Sequence, residues 1–300
     1  MSPPVPRNKE AIMATPERYY VPAASIWPIV GALALFLIAA GAGATVGGLF
    51  GGYGPWLLLA GTVLIVVMLT GWFRDVIRES MQGLYSAQMD RSFRQGMSWF
   101  IFSEVMFFGA FFGALFYARF IAVPWLGGAS NNAMTAAVLW PDFVAQWPLT
   151  VTPGGIETTA MPAMGLPLLN TLILLTSSVT LHIAHTAIEK NQRGRLKGFL
   201  LATVLLGAVF MFFQGEEYVH AYQEMNLRLD SGVYGNTFYL LTGFHGLHVT
   251  LGTVMLLVIW LRVMRGHFSP EHHFGFQASA WYWHFVDVVW LCLFVLVYIL

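Results

Sequence analysis

Two stretches of this chain repeat the pattern His-x-x-His: LHIAH, with His182 and His185, and FHGLH, with His245 and His248. Histidines at i and i+3 share a helix face and can chelate a metal ion, and histidines facing each other from two helices can ligate haem. The competing reading is structural, with imidazoles donating to carbonyls or carboxylates across helix interfaces. A further histidine, His284 in WYWHFVDVVW, stands three residues before Asp287 on the same helix face. That pair has the residue types of a catalytic dyad, yet it serves equally to bind neighbouring helices, and the second reading is the one adopted.

Carboxyls form the next group. Glu104, in FSEVMFFGAFFGALF, is surrounded by Phe, Met and Val, and fits either a proton-handling or ligand-contacting role or a buried interhelical hydrogen bond. Glu216 and Glu217, in FFQGEEYVH, stand with His220 and Tyr222 as an interfacial polar cluster, at least one of the two glutamates being solvated. Trp72, Arg74, Arg78 and Glu79 close one apolar run, and Arg262, Arg265 and His267 close another. Arginines so placed suit lipid phosphates through bidentate hydrogen bonds, a nearby carboxylate can accept from an ethanolamine head group, and the plainer account is loop charge.

The elements that carry these residues are membrane spans. The 300 residues are 57% hydrophobic and 10% charged, with 11 tryptophans, whereas soluble chains are about a quarter charged. Spanning the hydrocarbon takes about 20 apolar residues, and seven segments qualify: 27–45, 55–73, 97–118, 166–188, 198–219, 237–261 and 277–300. This reading places Glu104 about 10 Å into the third helix at 1.5 Å per residue. The fold class expected is all-α, a seven-transmembrane-helix bundle.

Seven helices put the two ends on opposite sides. Arg7, Lys9 and Arg18, then Arg74, Arg78, Arg91 and Arg94, then Lys190, Arg193, Arg195 and Lys197, then Arg262 and Arg265 all fall on the N-terminal side. The other side keeps Arg228, with Arg119 at a helix end, so the N-terminus and the 2–3, 4–5 and 6–7 loops are expected to face the cytoplasm. The polar, proline-rich segment 1–26 lacks the pattern of a removable secretory signal. The outer segment 120–165, rich in Pro, Gly and Trp, is expected to rest on a neighbour or to cap the bundle. A single cysteine, Cys292, excludes a disulfide or cysteine metal cluster within the chain and reads as packing. With 15 acidic and 15 basic side chains, charge gives no argument for a nucleic-acid partner.

WFRDVIRES, FSEVMFFGAFFGALF, LPLLNTLILLTS, DSGVYGNTFYLLTGFHGLHV and HHFGFQASAWYWHFVDVVWLCLF, in that order, closely resemble subunit III of cytochrome c oxidase, from about residue 27 to 300. The resemblance implies one domain over 27–300, with helices 1–2 and 3–7 separated by a V-shaped lipid-binding cleft. It implies no catalytic residue, no metal and no cofactor in this chain beyond bound phospholipid, with haem and copper in partner subunits. The partners implied are the catalytic subunit I, subunit II, membrane phospholipids and, through the complex, cytochrome c.

Carried over residue by residue, Arg78, Glu79, Glu104, Arg262 and His267 become lipid-contacting positions, and Trp72 of the same rim is placed with them. His185, His245, His248, His284 and Asp287 become interhelical packing residues, and His267, His272 and His273 a rim that collects protons for the partner's uptake entrance. Three departures stand out. Leu84 and Tyr85 follow Gly83 where the family has paired histidines, so one head-group contact changes. Only His185 of LHIAH matches the family's helix-four histidines, and Gln277 replaces a customary glutamate, removing a charge. The long aromatic 120–165 segment points to a bacterial enzyme with an extra outer partner. Kept beside this reading are a quinol oxidase subunit and, more distantly, a haem-binding membrane cytochrome or a transporter using Glu104 or Asp287.

Overall fold

Backbone polar groups have no water to bond in hydrocarbon, so spanning segments satisfy them internally as helices. The computed structural model describes residues 20–21 and 24–300; most of the N-terminal segment, including Arg7, Lys9 and Arg18, lies outside the described residues. Among the described residues, seven helices are long and apolar enough to cross a membrane. They are α1 (Trp27–Gly47), α2 (Gly54–Met81), α3 (Ala87–Tyr117), α4 (Leu166–Glu189), α5 (Arg193–Glu224), α6 (Val233–Met264) and α7 (Phe274–Leu293). Among the described residues there is no strand, only an isolated antiparallel bridge between Val151 and Glu157.

Proline opens α1, α2 and α4 within the first turn, where its missing N–H costs nothing. Gly48, at φ 62°, stops α1 in the left-handed conformation that glycine adopts without strain. The helices outrun their apolar cores. α2 continues through Arg74, Asp75, Arg78 and Glu79 to Met81, and α3 already begins at Ala87. Hydrophobicity marks only the length in hydrocarbon, and a polar turn keeps its helical hydrogen bonds where water begins.

The chain divides into two compact units at the Phe93 to Arg94 step inside α3. In the first, α1 and α2 pack through small residues, the device by which membrane helices approach closely. A Cβ added to Gly61 would stand 2.7 Å from the Ile38 nitrogen and 2.8 Å from the Ala34 oxygen, so only hydrogen fits.

The second unit is built around α7. Its spanning window is 61% buried, against 39% or less for every other span. Trp283 and Trp290 are fully buried. The Trp283 indole fills the space left by Gly207 of α5 and Gly252 of α6, where an added Cβ would meet it at 2.7 and 2.9 Å. Each indole N–H then donates to α4, Trp283 to the Ser177 hydroxyl and Trp290 to the Thr171 hydroxyl, both at 2.9 Å.

After α3 the backbone passes through a π-helical turn, Ala118–Ala122, and a short helix, Ala133–Leu139. Of the two roles expected for 120–165, the structure assigns its second half to the bundle itself. The Thr159 N–H donates to the Met225 carbonyl at 3.0 Å, the Asn226 amide to the Glu157 carbonyl at 2.7 Å, and the Met161 N–H to the Tyr234 hydroxyl at 3.2 Å. Leu149 and Met161 are buried, so this segment closes the α5–α6 end of its own unit.

Gly61→Ala is expected to destabilise the α1–α2 pair by about 1–3 kcal/mol through overpacking. Gly43→Ala, where nothing lies within 4 Å, is expected to be neutral or stabilising. Unfolding of the two variants followed by circular dichroism checks both.

Candidate functional site

α3 and α6 bring Glu104 to His248. The Glu104 Oε2 lies 3.0 Å from the His248 Nε2, with side chains 21% and 10% exposed. The other ring nitrogen, Nδ1, lies 2.6 Å from the Phe244 carbonyl of the preceding turn and must donate to it. Glu104 and His248 therefore hold a single proton in the contact between them. Phe107, Phe108 and Tyr282 surround the imidazole at ring distances of 5.9, 5.0 and 6.3 Å, which excludes water from most of its faces.

The His-x-x-His spacing does not produce metal pairs. His245 turns to α7, its Nε2 3.2 Å from the Val286 carbonyl and its ring 5.0 Å from Trp290, while His248 turns to α3. In α4, His182 is exposed, and the His185 Nε2 lies 3.8 Å from Glu189 Oε1, one turn on. A helix has two flanks at this spacing, and each flank meets a different neighbour.

His284 and Asp287 are joined through a residue that sequence reasoning missed. The Ser178 hydroxyl of α4 lies 2.9 Å from the His284 Nδ1 and hydrogen-bonds the Asp287 carboxylate, whereas His284 and Asp287 stand 3.9 Å apart. In a nucleophilic triad the acid orients one imidazole nitrogen and the serine meets the other. Here the imidazole and the carboxyl converge on one hydroxyl, an arrangement that fastens α7 to α4.

Glu216 and Glu217 separate as neighbours on a helix must. Glu216 is exposed, and Glu217 is 1% exposed, accepting from the Tyr298 hydroxyl at 2.7 Å. His220 pairs with Glu224 at 3.1 Å on the exposed surface. The burial of Glu217 was legible in part: Gln214, Glu217 and Ala221 recur at helical spacing, and all three are buried.

At the rim where α6 ends and α7 begins, the three candidate histidines differ. His272 is exposed, His267 is half-buried, and His273 is buried with its Nδ1 3.2 Å from the Ser269 carbonyl and its ring 5.8 Å from that of His185. Burial, with Arg262 and Arg265 beside it, holds the His267 imidazole below its usual range. The Arg262 guanidinium lies 4.4 Å over the Phe268 ring. Two arginines that were read only as loop charge act here as ties. Arg193 donates to the Phe268 carbonyl at 2.7 Å, and Arg94 donates to the Gln277 amide oxygen at 2.6 Å, so the departure at Gln277 keeps an acceptor while losing a charge.

On the first unit, Glu79 accepts from two hydroxyls, Tyr85 at 2.9 Å and Tyr20 at 3.2 Å. Tyr85, one of the two residues read above as departing from paired histidines, sits on the carboxyl expected to receive a head group. Beside it the Trp27 indole donates to Asp75 at 2.8 Å. Trp72 and Arg78 are exposed, Trp72 stacking on Phe73 at 5.9 Å.

Taken together, these groups can hold protons, anchor phosphates and fasten helices. A profile of the family described as "Cytochrome c oxidase subunit III" matches residues 17–300. The chain is 41% identical over 281 residues to cytochrome c oxidase subunit 3 of Gadus morhua and equally to that of Oncorhynchus mykiss, and 40% identical to that of Papio hamadryas. Each alignment covers 93% of this chain and 96% of the relative.

Burial, the hydrogen bond to Glu79 and the nearby charge of Glu79 raise the Tyr85 hydroxyl above its ordinary value of 10.0. A raised tyrosine contributes stability that is present below pH 10.0 and lost as pH climbs through its folded value. Tyrosinate absorbance of Tyr85, taken as the difference from a Tyr85→Phe variant, is expected only well above pH 10.0. Glu79→Gln should move it partly back, since burial is the larger cause.

Proposed function

We propose, because this chain belongs to the cytochrome c oxidase subunit III family, that it is the non-catalytic subunit III of a proton-pumping oxidase supplied with electrons by cytochrome c. Membership makes it a subunit of a terminal oxidase, and its seven spanning helices make it a multi-pass membrane protein. The match across residues 17–300 carries the reading, because it takes in every span rather than one motif.

In this reading, haem and copper belong to the catalytic subunit I and to subunit II, and this chain chemically transforms nothing. Its spans hold phospholipid. Exposed Arg78 and Trp72 offer a phosphate contact and an interfacial ring, with Glu79 steadied by its two tyrosines to receive an ammonium. Arg262 and His267 offer the same chemistry on the second unit, and Glu104 lies among the apolar chains with its carboxyl held by His248. His267, His272 and His273 support proton uptake by the partner. The arginine and lysine distribution supports a cytoplasmic N-terminus and a periplasmic C-terminus, and the long aromatic 120–165 segment supports a bacterial inner membrane.

A reduced-minus-oxidised visible spectrum tests the function, taken separately on the isolated chain and on the proteins that copurify with it. Haem bands in the copurifying proteins and none in the chain are expected, and haem bands in the isolated chain overturn the reading. Glu104→Gln, which keeps the shape and takes the carboxyl away from the His248 contact, should lower copurifying phospholipid or shorten the working lifetime of the oxidase. Unchanged lipid content and inactivation kinetics would reduce Glu104 to packing.

A further inference from the structure

We infer that His185, Glu189 and His273 form a three-ligand site for a divalent cation of the zinc type, fastening the end of α4 to the start of α7. This departs from the expectation of no metal in the chain, takes His273 out of the proton-collecting rim, and does not rest on the oxidase reading. One ligand atom from each residue falls within 4.8 Å of the other two.

Ring chemistry sets the ligand atoms. The His273 Nδ1–H donates to the Ser269 carbonyl at 3.2 Å, which leaves the Nε2 lone pair free, and a backbone carbonyl on the far nitrogen is the usual orientation of a metal-binding histidine. That Nε2 is buried without a hydrogen-bond partner, on a side chain whose residue is 8% exposed. The His185 Nε2 is buried and without a hydrogen-bond partner too, its ring held 5.5 Å from Phe276. Two buried nitrogens left with nothing to accept from is the condition that a cation relieves.

Glu189 supplies charge. Its Oε1 stands 3.8 Å from the His185 Nε2, and tetrahedral zinc at about 2.0–2.1 Å from each ligand sets neighbouring ligand atoms about 3.4 Å apart. Its side chain is 56% exposed, so the carboxylate can swing to close the remaining gap and leave a fourth position for water. Glu189 is also the last residue of α4, where the helix dipole favours a cation. Two imidazoles and one carboxylate are the donors that zinc shares with cobalt, and the two imidazoles disfavour calcium and magnesium, which prefer all-oxygen sites.

The test uses the full chain in detergent, stripped with a chelator and titrated with zinc chloride against a chromophoric competitor. One equivalent is expected to bind, with affinity lowered at least tenfold by His185→Ala and by Glu189→Gln. His220→Ala, which removes the exposed His220–Glu224 pair, should change nothing. Cobalt should give intense visible bands of tetrahedral coordination that Glu189→Gln weakens. Because Glu189 is exposed at a helix end, its conservative variant still folds even if the buried histidine variants do not, and far-ultraviolet circular dichroism verifies this. No stoichiometric zinc on the native chain, or zinc held equally by Glu189→Gln and His185→Ala, overturns the site.

Discussion

The seam between α4 and α7 governs the second unit. A polar group in hydrocarbon has no water to fall back on, and leaving one unpaired costs roughly 1–3 kcal/mol or more. α7 brings two indole N–H groups, an imidazole and a carboxyl into that setting, and α4 meets them with Thr171, Ser177 and Ser178. The hydroxyls are small enough to let the helices approach and polar enough to receive the donors. Once α7 is seated in this way, its aromatic faces fix the rest: the Trp283 ring sets how near α5 and α6 come at Gly207 and Gly252, and Trp290 sets His245 against Phe210.

The same logic divides the two flanks of α6. His245 serves α7 and His248 serves α3, so one helix uses a three-residue spacing to hold two neighbours. Glu104 is tolerated in α3 for the same reason, its carboxyl meeting an imidazole that is itself tied to Phe244. Polar residues at these places give registry. Each pair closes only when its helices are aligned along and around their axes.

How much of this was legible in the sequence depends on the range of the signal. The seven spans follow from apolar length, which is local, and their starts from prolines at Pro28, Pro55 and Pro167. The polar residues that had to be inside, Glu104, His245, His248 and Asp287, are conspicuous because their surroundings are apolar. Their partners are not conspicuous. Ser178 reads like any serine in a membrane helix, and nothing near Tyr20 or Tyr85 announces a shared carboxylate at Glu79. Glu216 and Glu217 show the limit at its narrowest, because two adjacent identical residues differ only in azimuth, and azimuth is set by neighbours elsewhere in the chain. Helix ends were missed for a different reason: α2 and α3 run on past the hydrocarbon, where composition no longer marks a helix.

The α4–α7 seam also imposes a schedule on synthesis. α4, α5 and α6 leave the ribosome before α7, carrying Thr171, Ser177, Ser178 and Glu217 into the bilayer while their partners in α7 and in the Phe294–Ile299 segment after it are still unmade. Two of the hydroxyls can wait on a carbonyl of their own helix, Thr171 on Pro167 and Ser177 on Leu174. Glu217 has no such refuge, and a half-finished bundle therefore carries an unmatched carboxyl until the Tyr298 segment arrives. The last residues to be made are thus the ones that satisfy the carboxyl and close the second unit.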